Sequence, residues 1–210
     1  AGYERVLLRD ALGNPVADTK VFASGWSDGG GSSLELRDPN SDSLSPDAWA
    51  DSNEISQGRW QTNTYRMVAG QNYGSTRWNE FRVGLLDAGE VLIDDVSVVR
   101  DSDGVREQLI QNGSFGITNG NTHWRWLGNH AGAFVADPDN TANTVLKITA
   151  AGRAVMNHNH VETTFLNNAA LLNGQQYEVS YRARWLADSP QLSTRAYFAK
   201  LANVTALIMP

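Results

Sequence analysis

The chain reads as an all-β protein built around a β-sandwich. Three observations predict that class. Apolar residues alternate with polar ones at a period of two through segment after segment. Turn-forming Gly, Asn and Asp clusters separate those segments, and no stretch holds the 3.6-residue apolar period of a helix for long. With 210 residues, 41% of them hydrophobic and seven tryptophans, the chain has enough apolar surface to close a real core.

Taken in order, Glu4–Arg9 and Val16–Phe22 are short strands around the turn Asp10-Ala11-Leu12-Gly13-Asn14. Ser33–Arg37 is a third, after the run Gly29-Gly30-Gly31. Residues 38–58 turn to Asp, Asn, Ser and Pro and mark a loop or linker. Trp60–Val68, Trp78–Leu86, Glu90–Val99, Val145–Ala150, Tyr177–Trp185 and Thr194–Leu201 supply the alternating strands of the main body. Turns such as Leu86-Asp87-Ala88-Gly89 and Leu172-Asn173-Gly174-Gln175 separate them.

Bulk properties exclude several classes. The net charge of −6 argues against nucleic acid as a partner. The absence of cysteine removes disulfides and thiolate chemistry, and no run is long enough for a membrane-spanning helix. No G-x-S-x-G, H-E-x-x-H or phosphate-loop pattern occurs, so enzyme activity is not expected. The opening Ala1-Gly2-Tyr3, without an initiator Met, and the apolar close Ile208-Met209-Pro210 read as a piece of something longer.

Two segments carry a resemblance. Ile93-Asp94-Asp95-Val96-Ser97-Val98 resembles the last strand of the jelly-roll carbohydrate-binding modules of the galactose-binding-like superfamily, and Asn112-Gly113-Ser114-Phe115 resembles their first. Trp60–Tyr65, Trp124-Arg125-Trp126 and Gly174–Tyr181 resemble further pieces of the same modules, in rotated order. First and last strands lie side by side in such sandwiches, so a joining segment at residues 100–111 would leave the core unchanged. The expectation is therefore one circularly permuted jelly-roll β-sandwich over residues 58–207, preceded by a linker at 46–57. Residues 1–45, through Arg5–Asp10, Gly13–Asp18 and Gly31–Pro39, resemble the closing strands of a lamin-tail domain and form a short β-hairpin extension. The resemblance implies a non-catalytic, secreted or cell-surface module that binds polysaccharide on its concave sheet face. The alternative is a structural subunit of a surface layer or extracellular fibre, self-associating by strand exchange through residues 4–37.

Candidate site residues follow. An aspartate in a buried strand needs a cation or donors. Asp94 and Asp95 are expected on opposite sides of their strand, and the resemblance implies structural calcium, with Asp95 the likelier ligand. Gly116, in place of a carboxylate after Phe115, removes one expected ligand, and an arginine such as Arg100 is the other candidate partner. His158 and His160 share one face of an extended segment, as a groove rim or, with Glu162, a metal site. Outward Arg182, Arg184, Arg195 and Tyr197 would form a groove suited to an acidic polysaccharide, since guanidinium forks match carboxylates and aromatic rings stack on sugars. The competing reading pairs those arginines with Glu178, Glu162 and Asp188. Trp124 and Trp126 are either ligand platforms or core, and Trp60, Trp78 and Trp185 are assigned to the core.

Overall fold

A computed structural model describes residues 4–21, 34–38, 40–42, 45–51, 58–70, 79–155, 158–196 and 200–209. The chain divides into two compact units, residues 1–57 and 58–210. In the first, β1 (Glu4–Arg9) pairs antiparallel with β2 (Pro15–Val21). The turn between them is held by the Asp10 carboxylate, which accepts from the Leu12 and Asn14 amides at 2.9 and 2.8 Å. A second small ladder joins β3 (Leu34–Leu36) to β4 (Trp49–Asp51).

The second unit is the β-sandwich. Its six-stranded sheet runs β10 (His130–Asp137), β11 (Asn140–Ala150), β7 (Gly89–Arg100), β13 (Gln176–Asp188) and β5 (Gln61–Val68), with the short β8 (Glu107–Gln108) also on β7. The five-stranded sheet runs β15 (Val204–Leu207), β14 (Gln191–Ala196), β6 (Glu80–Leu85), β12 (His160–Thr164) and β9 (Trp124–Leu127). The two sheets pack round one core. Tyr177, Val179, Tyr181, Ala183 and Trp185 of β13 face inward as the alternation predicts, against Phe81, Val83, Val161 and Leu192 of the other sheet. Each such side chain stabilises the fold by roughly 1.5–3 kcal/mol.

The junction between β7 and the strands that follow has a local physical basis. After β7 the chain reverses at residues 101–106 and runs back along the same strand, pairing Glu107 with Arg100 and Gln108 with Val99. The Leu109 amide donates to the Val98 carbonyl, and the Val96 amide donates to the Gly113 carbonyl, each at 2.9 Å. The I-D-D-V-S-V and N-G-S-F segments thus lie against one another. Gly113 is needed there, because a Cβ would overlap the Val96 carbonyl. Phe115 then plugs the core 5.3 Å from the Trp124 ring, and the Trp124 indole N–H is shared between the Gln111 and Asn112 carbonyls.

Several boundaries shift. The strand expected at 145–150 starts at Asn140, and the one expected at 194–201 spans Gln191–Ala196. Phe22, Trp78 and Tyr197 lie outside the described residues. Among the described residues no helix is long and apolar enough to cross a membrane.

Candidate functional site

Arg182 and Arg184 project from the outer face of the six-stranded sheet, and both are engaged there. The cause lies in β7. Its register against β13 slips between the Ser97–Ser180 and Asp94–Arg182 pairs, leaving an extra residue in β7. That residue, Asp95, takes a positive φ of 51°. A bulge of this kind re-aims side chains that simple alternation would send to opposite faces. Asp94 and Asp95 consequently meet the same guanidinium, Arg182 Nη2 lying 2.5 Å from Asp94 Oδ2 and Nε 2.8 Å from Asp95 Oδ2. The expectation of opposite sides is overturned by that bulge.

Asp94, 1% exposed, is further satisfied by the Asn143 amide at 2.9 Å and the Asp95 backbone N–H at 2.8 Å. Arg182 also lies over the Trp60 ring, 4.7 Å from its centroid, and the Trp60 indole donates to Asp137 at 3.1 Å. Trp60 is therefore a half-buried clamp on the outer face and not a core residue. Arg184 pairs with Asp139 at 2.7 Å. Arg182 supplies a counter-charge to both carboxylates, an arginine having been the alternative to the calcium that the resemblance implies. Among the described residues no group of three or more His, Asp or Glu side chains gathers to hold a metal.

The outer face of the five-stranded sheet is different. Register places Arg195, Arg82, Glu162 and Arg125 in one cross-strand row over β14, β6, β12 and β9. The next row is Ser193, Gly84, His160 and Leu127. Glu162 is the hub of the first row. Arg125 donates to it at 2.8 and 3.1 Å, Arg82 Nε approaches at 3.5 Å, and His160 Nε2 lies at 3.0 Å. Burial alone would raise its carboxyl, but the His160 and Arg125 contacts prevail and hold it at about 2. Burial, followed by the neighbouring Arg82 charge, disfavours the charged form of Arg195.

Between these strands a cleft of about 130 Å³ opens, lined by Arg82, Arg195, His160, Asn159, Ser193 and Asn203 among others. His160 is 4% exposed, and its Nδ1 has no hydrogen-bond partner among the described residues. Gly84 has no side chain to fill the floor, and a Cβ there would stand 2.8 Å from His130 Nε2. His130 accepts from the Leu85 amide at 3.0 Å and contacts Asn129 Oδ1 through Nδ1 at 2.9 Å. Burial, with the adjacent His160, pushes its imidazole down to about 4.

The residues singled out in the sequence therefore divide. Arg182 and Arg184 lie on one outer face and Arg195 on the other, so they form no common groove; strands β13 and β14 belong to different sheets. Tyr197 lies outside the described residues. His158 is in an exposed turn before β12, whereas His160 is buried against Glu162, so the two imidazoles share no face. Trp124 is core, at 4% exposed, which removes it as a ligand platform. Trp126, 40% exposed, packs edge-on against Phe134, 6.1 Å between ring centroids. Arg82, Asn159, Ser193 and Asn203 were not singled out in the sequence. Arg82 carried a usable signal, as a cation between the inward Phe81 and Val83.

No protein-family model, no curated protein and no solved structure matches the chain.

Proposed function

We propose that residues 58–210 form a non-catalytic module that binds polysaccharide outside the cell. Its binding surface is the outer face of the five-stranded sheet. The observation that carries this reading is the polar cleft over β6, β12 and β14, lined by guanidinium, imidazole, amide and hydroxyl groups. That mixture offers donors and acceptors at several angles, as a polyhydroxy ligand needs. The alternation of inward apolar and outward polar residues leaves this face free of core duty. The likeness of I-D-D-V-S-V and N-G-S-F to jelly-roll carbohydrate-binding modules supports the same conclusion. Affinity is modest, because a shallow site buries little area and orders few groups.

Affinity electrophoresis over a panel of neutral and acidic polysaccharides tests the reading. Ser193→Tyr fills the cleft from β14 and abolishes retention, while Ser180→Tyr on the opposite outer face leaves it intact. No retention of the unmodified chain on any polysaccharide removes the proposal.

A second reading, a structural subunit of an extracellular fibre, draws on β1 and β2. Among the described residues they pair only with each other, so both outer edges of that ladder can accept a strand. A concentration-independent monomer in sedimentation counts against it.

A further inference from the structure

Asparagine stands directly before glycine at Asn112-Gly113, Asn119-Gly120 and Asn173-Gly174. At such a step the carboxamide is open to attack from its own backbone, because glycine has no Cβ to obstruct the approach of its nitrogen. The glycine nitrogen loses its proton and bonds to the asparagine Cγ, the Cγ–Nδ2 bond breaks, and ammonia leaves. Water then opens the resulting succinimide at either carbonyl, giving aspartate or isoaspartate, and is the sole co-reactant.

The fold protects the first and the last of these steps. The Asn112 Nδ2 donates to the Ile117 and Thr122 carbonyls at 2.9 and 3.0 Å, and its Oδ1 accepts from the Ile117 amide at 2.9 Å. Gly113 is packed against the Val96 carbonyl and accepts from the Val96 amide, so neither partner of the reaction can swing toward the other. At the last step the attacking nitrogen is itself engaged, the Gly174 amide donating to the Ala69 carbonyl at 3.0 Å, and the Asn173 Oδ1 accepts from Lys200 Nζ. Giving up even two ordinary hydrogen bonds slows a step by about tenfold or more.

Asn119 and Gly120 differ on each count. Both are exposed, and among the described residues neither the Asn119 carboxamide nor the Gly120 N–H has a hydrogen-bond partner. Open space surrounds the Gly120 Cα, whose φ is +70°. From this contrast we infer that Asn119 is a site of spontaneous, succinimide-mediated deamidation in the folded protein, and that Asn112 and Asn173 are not. The change is local. Ile117 and Thr122 are fastened to Asn112 on either side of it, and the His123 carbonyl accepts from Thr163 Oγ1 at 2.8 Å, so β9 keeps its place when a negative charge appears at residue 119.

Incubating the full chain at mildly alkaline pH, natively and in urea, and mapping its peptides by mass spectrometry tests the inference. In the native chain Asn119 converts to a mixture of aspartate and isoaspartate at least about tenfold faster than Asn112 or Asn173. In the unfolded chain the three rates draw together, because the protecting hydrogen bonds are gone. Gly120→Val places a branched side chain beside the attacking nitrogen and suppresses conversion at Asn119. Native conversion at Asn119 no faster than at the other two overturns the assignment. Aspartate without isoaspartate, or an unchanged rate in Gly120→Val, overturns the succinimide route.

Discussion

The two outer faces of the sandwich carry the same kind of residue to different ends. On the six-stranded sheet, Arg182 is enclosed by Asp94, Asp95 and the Trp60 ring, and Arg184 is tied to Asp139. On the five-stranded sheet, Arg82 and Arg195 stand opposite each other beside an open cleft, with Glu162 engaged also by Arg125 and His160. In one setting the guanidinium neutralises a carboxylate that the fold has buried. In the other it borders space that a ligand can enter. An outward arginine on a strand is thus read by what its neighbours leave unfilled, and not by its own exposure: Arg184, on the closed face, is occupied by Asp139.

The contrast can be broken most sharply at Arg182. Arg182→Met leaves Asp94 buried without its counter-charge, which costs about 3 kcal/mol or more of folding stability, read as a lower urea midpoint. Polysaccharide binding by the variant stays unchanged under native conditions. A loss of binding with stability intact would mean that the closed face is the functional one.

Acidification acts next, and on the open face. The His130 imidazole lies at about 4 in the folded chain, below its ordinary 6.5, so the unfolded chain takes up a proton first as pH falls. Stability from this group is complete above 6.5 and is lost between 6.5 and about 4. Glu162, at about 2 against an ordinary 4.5, adds a second loss as pH falls from 4.5 towards 2. Thermal midpoints measured from pH 7.5 to pH 3 should fall continuously, and His130→Asn should flatten the part above 4. A midpoint unchanged between pH 7 and pH 4.5 contradicts the assignment.

Gly113→Ala tests the junction beneath both faces. The added methyl meets the Val96 carbonyl, a backbone atom, and the shift it forces costs about 1–3 kcal/mol. Arg195→Gln is the smallest in stability, within about 0.5 kcal/mol, because it removes a group from the cleft edge and not from the core.

Much of the fold was legible in the chain. Period-two alternation in Tyr177–Trp185 named the inward set correctly, and the all-β sandwich expected from the alternating segments is the fold observed. The site was less legible, for identifiable reasons. A single-residue bulge at Asp95 undid the alternation rule at the place where the carboxylates matter most. Sheet membership was not encoded locally: β13 and β14 follow one another closely, yet the turn at residues 189–190 carries the chain from one sheet to the other and separates Arg184 from Arg195. Trp60 left the core to which it was assigned because an indole N–H can be satisfied on a surface by a carboxylate such as Asp137, whereas the Trp124 N–H is satisfied in the core by backbone carbonyls.

The most direct measurement follows the arginine side-chain Nε–Hε signals by NMR during titration with oligosaccharides of the polysaccharide that retains the chain. The account predicts that the Arg82 and Arg195 signals move together and saturably, while those of Arg182 and Arg184 stay in place. Movement of Arg182 and Arg184 with Arg82 and Arg195 unaffected would contradict it.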